Sequence, residues 1–194
     1  MEINQEALLQ LMRTSRVPTR MVSSDAISMA LSSNGWLQSV AGKEDYDKAV
    51  RAIRAMFENG RGLFVTGAAG CGKTKLISAI RRWMNRGTTN WMYCKDHKDL
   101  EYMRSQEDEN ITGNVYVDDI GCEEIIHEYG NIVDVVGDYI QRYYYRGTGR
   151  FIATTNLKSE EINERYGARC LDRILEMCVV LKLNGGTKRE RMVF

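Results

Sequence analysis

Proline occurs once in this 194-residue chain, at Pro18, and histidine only twice, at His97 and His127. So little proline excludes polyproline linkers and proline-rich recognition segments, and the histidine spacing excludes a conventional His-based metal centre. The five cysteines, at 71, 94, 122, 170 and 178, never form a C-x-x-C pair, so neither a zinc ribbon nor a disulfide framework is indicated. A reducing cytoplasm is the expected compartment. No apolar run approaches the roughly 20 residues that span a bilayer. The opening MEINQEALLQLMRTS has acidic and polar residues where a secretory signal carries a basic and then a long apolar segment. A soluble, unexported protein is expected. There is also no excess of one charge: the formal net charge is +1, so nucleic-acid binding needs a local basic patch or several subunits side by side.

What is present is an alternation of element types. Ahead of it lie two short helical patterns, one with Leu8, Leu11 and Met12 and one with Ile27 and Leu31, each too short to be stable alone and expected to dock either on the main domain or on a partner. The polar stretch from Asn34 to Lys43 is the expected boundary between a short helical extension, 1–40, and a main domain, 41–194. From Glu44 the apolar residues Tyr46, Val50, Ile53 and Phe57 keep helical spacing until Gly60, and the strand GLFVT follows. The pattern then predicts a helix over 73–85, a strand over 90–94, a helix over 97–103 and a strand over 114–118. Beyond these it predicts a helix over 131–145, a strand over 151–155, two helices within 159–177 and a strand over 179–183. Such alternation implies an α/β fold with a parallel sheet covered by helices on both faces. Ligands of such sheets sit beyond the carboxyl ends of the strands.

At the first of those ends stands FVTGAAGCGKTKL, in which Gly67, Gly72, Lys73 and Thr74 satisfy G-x-x-x-x-G-K-[ST] between a strand and a helix. The stretch Gly67, Ala68, Ala69, Gly70, Cys71, Gly72, Lys73, Thr74 and Lys75 can curl its amides around a polyphosphate. Lys73 reaches the terminal phosphates, and the Thr74 hydroxyl is offered to magnesium. MgATP is the expected cofactor. The strand of NVYVDDIGCEE ends in Asp118, placed for the metal or its water, and Asp119, placed to polarise the attacking water. FIATTN brings the Asn156 amide to the same edge, where it can orient that water or touch the γ-phosphate.

Two further segments leave alternatives open. In RYGARCLDRILEM, Leu171, Ile174, Leu175 and Cys178 form one stripe, and Arg169 and Arg173 share the opposite face at i, i+4, both expected outward. They make either a solvated basic face or an arginine finger supplied to a neighbouring subunit. QRYYYRGTGR mixes Tyr143, Tyr144 and Tyr145 with Arg142, Arg146 and Arg150, which suits either single-stranded DNA or a helix end in the core.

Taken in order, GAAGCGKT, VYVDDIGCEE, ATTN and YGARCLDRI resemble the AAA+ ATPases of the DnaC/DnaI helicase-loader type, with the IstB-like transposition helpers as close relatives. The resemblance runs from about Glu44 to Arg189. It implies a P-loop NTPase of AAA+ type, slow as a monomer, in which Lys73 and Thr74 bind phosphate and magnesium and Asp118 is the metal acid. Asp119 is then the catalytic acid, Asn156 the first sensor and Arg173 the finger; GGTKR, similar to the family's G-x-[ST]-x-R, makes Arg189 either a second sensor or part of a solvated basic tail spanning Lys188 to Arg191. The implied partners are a replicative DnaB-type helicase and further copies of the chain through the nucleotide face, with single-stranded DNA left open and no membrane. Against the family pattern, the N-terminal segment is short, and the roughly 38 residues after Asn156 leave no room for a full helical lid. The alternative functions are a transposition helper, a small-molecule P-loop kinase and a non-catalytic ATP-dependent binding switch.

Overall fold

The computed structural model describes residues 20–84, 90–105, 111–124, 126–128 and 131–186. The helical pattern at Leu8, Leu11 and Met12 and the second-sensor candidate Arg189 lie outside them. Three helices come first: α1 (Ser24–Ser33), α2 (Gln38–Ala41) and α3 (Lys43–Glu58). Then follow β1 (Gly62–Gly67), α4 (Lys73–Met84), β2 (Asn90–Tyr93), α5 (His97–Ser105) and β3 (Val115–Ile120). After a two-stranded hairpin, β4 (Ile126–Glu128) and β5 (Asn131–Val133), the chain forms α6 (Val135–Arg146), β6 (Phe151–Thr155), α7 (Ser159–Tyr166), α8 (Ala168–Met177) and β7 (Cys178–Leu183).

The five main strands lie in the order β2-β3-β6-β1-β7, and every pairing in this sheet is parallel. Alternating side chains divide the core into two layers, as the pleat dictates. Leu63, Val65, Tyr116, Ile152 and Leu181 face α1, α3 and α4, whereas Phe64, Val115, Val117 and Ala153 face α5 to α8. This is an α/β fold of the P-loop type, and among the described residues no helical lid follows β7. The chain leaves β1 toward β2, β3 and β6 and returns to β7 on the other side, so the crevice at β1's carboxyl end is a topological switch point.

Helix α1 belongs to the first layer: Ile27 and Leu31 are fully buried there, and its start is capped by Ser23, whose Oγ accepts from Ala26 N–H. The second N-terminal helix pattern therefore packs on α3 and α4 of its own chain.

One sequence-based expectation is overturned. The helix predicted over 131–145 begins only at Val135, because residues 131–133 pair antiparallel with 126–128 and Asp134 caps the helix, accepting from Gly137 N–H at 2.8 Å. Apolar Ile132 and Val133 fit either period, and cross-strand pairing decides between them.

Candidate functional site

The loop between β1 and α4 depends on residues with no Cβ. Gly72 has φ +104, which side-chain-bearing residues rarely adopt, and a Cβ on Gly67 would lie 2.6 Å from Leu183 O. The loop delivers Lys73 as the first residue of α4, 5% exposed. The helix's first-turn amides precede the bond from Leu76 N–H to Gly72 O, so they are the donors an anion can claim. The Lys73 ammonium donates to Gly67 O at 2.7 Å, Ala68 O at 2.9 Å and Asn156 Oδ1 at 2.7 Å.

Because β6 lies between β1 and β3, Asn156 at its end falls between the phosphate loop and the acid pair. Its amide uses both ends: Oδ1 accepts from Lys73, and Nδ2 donates to Asp119 Oδ1 at 2.7 Å. Asp119 Oδ2 in turn pairs with Lys95 Nζ at 3.1 Å. One hydrogen-bonded chain, Lys73–Asn156–Asp119–Lys95, thus crosses the carboxyl edge of four strands.

The two acids are aimed differently by a bulge. The β3–β6 register runs Val117↔Ala153 and then Ile120↔Thr155, so three residues of β3 are matched against two of β6. Asp119 absorbs the extra residue with φ +64, and it is the one non-glycine residue with positive φ among those described. Asp118 points to the α4 side, 4% exposed, where its Oδ1 accepts from Thr74 Oγ1 at 3.1 Å and Thr154 Oγ1 at 2.6 Å. Burial pushes its carboxyl above the ordinary range, and the two hydroxyls oppose that rise. Thr154, itself fully buried, also accepts from Asp119 N–H at 2.8 Å, so one hydroxyl fixes both acids.

This donor set fits magnesium rather than a metal caged by protein alone. A hydroxyl and a carboxylate adjoin there, and among the described residues no group of three or more His, Cys, Asp or Glu is placed to hold a metal ion by itself. Burial, then the Asp119 charge, pushes the Cys122 thiol up to about 11, and burial raises Cys94 further.

Three contributors escaped the sequence reading. Thr154 looks like a β-branched strand residue, and Lys95 like a solvated lysine. Glu123 reads as one more acid in an acidic turn. Its carboxylate accepts from Gly121 N–H at 2.9 Å, Arg165 Nε at 3.2 Å and Tyr166 OH, tying the loop after the acids to α7. Burial works against the Arg165 charge, but Glu123 holds the guanidinium above its usual range.

The arginines of α8 diverge. Arg169 is exposed as expected, whereas Arg173 is folded back and its side chain is only 20% exposed. Its guanidinium lies 3.9 Å from the centre of the Tyr144 ring, donates to the Tyr144 hydroxyl and to Tyr145 OH at 3.3 Å, and meets Glu176 at 3.2 Å. The projection that turned both arginines outward missed the aromatic pair that α6 lays across α8. Within the tyrosine cluster, Tyr143 and Tyr144 are core residues and Tyr145 is exposed. Arg142 caps the end of α5 at Met103 O, 2.8 Å away, and Arg150 stacks on Phe57 at 4.9 Å.

No described helix is long and apolar enough to cross a membrane. No family model and no curated protein matches the chain. Among solved structures it resembles the crystal structure of a proposed primosome component from Streptococcus pyogenes serotype M3, with 13% identity, a TM-score of 0.53, and coverage of 96% of this chain and 100% of the other. At that identity the likeness is one of fold.

Proposed function

We propose that the chain binds MgATP at this edge, hydrolyses it slowly, and acts in replication as the loader of a replicative DnaB-type helicase. The observation that carries the ATPase reading is the bonded chain Lys73–Asn156–Asp119 beside the Thr74–Asp118 pair. Lys73, exchanging the Gly67 and Ala68 carbonyls for terminal phosphate oxygens, binds the substrate together with the first-turn amides of α4. Magnesium, held through Thr74 and Asp118, would neutralise charge on the phosphates. Asp119 and Asn156 orient the water whose oxygen attacks the γ-phosphorus as the bond to the β-phosphate oxygen breaks, releasing ADP and phosphate. Arg173 of an adjacent copy completes the site as an arginine finger. That role requires its guanidinium to leave the tyrosine pair, so turnover is slow until copies associate.

The partner assignment is supported by the ordered motifs and by the fold likeness to a protein described as a proposed primosome component. Calorimetry and phosphate release test the ATPase reading. Wild-type protein is expected to bind MgATP, Lys73→Ala to weaken that affinity at least about 100-fold, and Asp119→Asn to bind normally while losing roughly 10²-fold or more in turnover. Wild-type protein that gives no heat with ATP overturns it. For the partner, the full-length chain is expected to retain a purified DnaB-type helicase on an affinity resin in the presence of ATP; retention of a transposase instead would favour the transposition reading.

A further inference from the structure

We propose that Lys95 is a positioning residue for Asp119, fixing the plane of the second acid from the strand on its far side. The inference rests on the ATPase reading of the same site and adds to it a residue that neither the motifs nor the spacing of the sequence brought forward.

The base of Lys95 is rigid. Strand β2 pairs with β3 in the register Tyr93↔Asp118, and Cys94 N–H extends that ladder with a bond to Asp118 O at 3.2 Å. The chain then turns. Asp96 N–H closes on Tyr93 O at 2.9 Å, while Asp99 Oδ2 accepts from Tyr93 N–H at 2.7 Å and so ties the start of α5 to the strand. Lys95 is carried by this turn to the level of Asp119, with its side chain 67% exposed.

From there the ammonium meets Asp119 Oδ2 at 3.1 Å, while Asn156 meets Oδ1 at 2.7 Å from the β6 side. A carboxylate held at both oxygens from opposite neighbouring strands has its plane defined. Asp119 needs that definition: its backbone sits in the left-handed region at the bulge, and its side chain is short. Two carboxylates stand at consecutive positions, and Asp118 is met by the neutral hydroxyls of Thr74 and Thr154. Lys73 reaches Asp119 only through the Asn156 amide, whereas Lys95 touches it directly. An exposed ion pair of this kind adds little to folding stability, so its value is read in the rate.

The experiment is steady-state ATP turnover and nucleotide affinity of the full chain carrying Lys95→Met or Lys95→Arg. Lys95→Met is expected to lower kcat about tenfold, with KM and nucleotide affinity unchanged within about twofold, because a misplaced orienting group acts on the transition state and not on ground-state binding. Lys95→Arg, which restores a cation of similar reach, is expected to recover kcat to within about threefold of wild type. Wild-type kcat in Lys95→Met, a loss confined to KM, or no recovery in Lys95→Arg overturns the proposal while leaving the ATPase reading intact. Wild-type protein that binds MgATP and releases no phosphate overturns that reading, and the role of Lys95 with it.

Discussion

The carboxyl edge of the sheet and the face between α6 and α8 both gather charged and aromatic side chains, but they satisfy them in opposite ways. At the edge, Lys73 at the start of α4 bonds Asn156 after β6, Asn156 bonds Asp119 near the end of β3, and Asp119 pairs with Lys95 after β2, so each bond hands on to the next. A ligand entering there has only to replace the carbonyls of Gly67 and Ala68 on one ammonium. At the α6–α8 face the cluster closes on itself: Arg173 holds Tyr144, Tyr145 and Glu176, Tyr144 OH also meets Glu176, and the Arg173 Nε makes no hydrogen bond. The first region is organised by one chain for immediate use. If Arg173 serves a neighbouring copy as proposed, the second would have to open first, and the cost of opening would set how readily copies activate one another.

The most direct way to break this contrast is Arg173→Ala. If the arginine acts only after release to a neighbour, the variant keeps wild-type affinity for MgATP and loses roughly 10³-fold of the turnover seen at concentrations where the protein associates. Phosphate release measured across a protein dilution series, beside calorimetric titration, separates the two effects. Parallel loss of affinity and turnover would mean that Arg173 serves its own fold and that the two regions are not functionally distinct.

Within the edge, Thr154→Val sharpens the comparison. The change keeps the shape but strips hydrogen bonds from Asp118 Oδ1 and Asp119 N–H at once. Leaving such buried groups short costs about 1–3 kcal/mol, measurable by chemical denaturation. Misaiming both acids is expected to slow turnover about 10- to 100-fold as well. Thr155→Val is the matched control: its hydroxyl serves only the backbone groups Ile120 O and Leu157 N–H. It should lose stability with a much smaller loss of rate. Equal rate losses in the two variants would show that Thr154 acts through general packing.

What could be read from the sequence divides along the same line. The placement of Gly67 to Thr74, Asp118, Asp119 and Asn156 at one edge was legible because each stands at or just beyond the carboxyl end of an apolar strand, and parallel strands bring those ends together. Thr154 was hidden inside such a strand, where a β-branched residue is what propensity alone favours. Lys95 was illegible because its meeting with Asp119 depends on β2 lying next to β3, a fact of strand order that no local pattern carries. For Arg173 the helical projection located the correct face, but what covers that face comes from α6, 28 residues earlier at Tyr145. The antiparallel pairing of 126–128 with 131–133 went unseen because alternation is weak in three-residue strands.

The smallest effect is expected where that pairing hands over to α6, at Asp134. Burial raises its carboxyl above the ordinary range despite the bond from Gly137 N–H. For a group raised in the folded state, the favourable contribution is complete below the unfolded carboxylate's pKa and is lost as pH rises through the folded value, so at neutral pH the ionised cap weakens the fold. Asp134→Asn keeps an oxygen for the Gly137 amide and removes the charge. It is expected to melt about 1–2 °C above wild type near neutral pH, and the difference should shrink as pH falls toward roughly 4, where the unfolded carboxylate takes up its proton. Differential scanning fluorimetry across that range gives the answer. A gap that stays constant with pH would place the effect in packing against Gly137, whose missing Cβ leaves room for the Asp134 carboxylate. ATP turnover should not change in either case, because neither Asp134 nor Gly137 belongs to the bonded chain at the sheet edge.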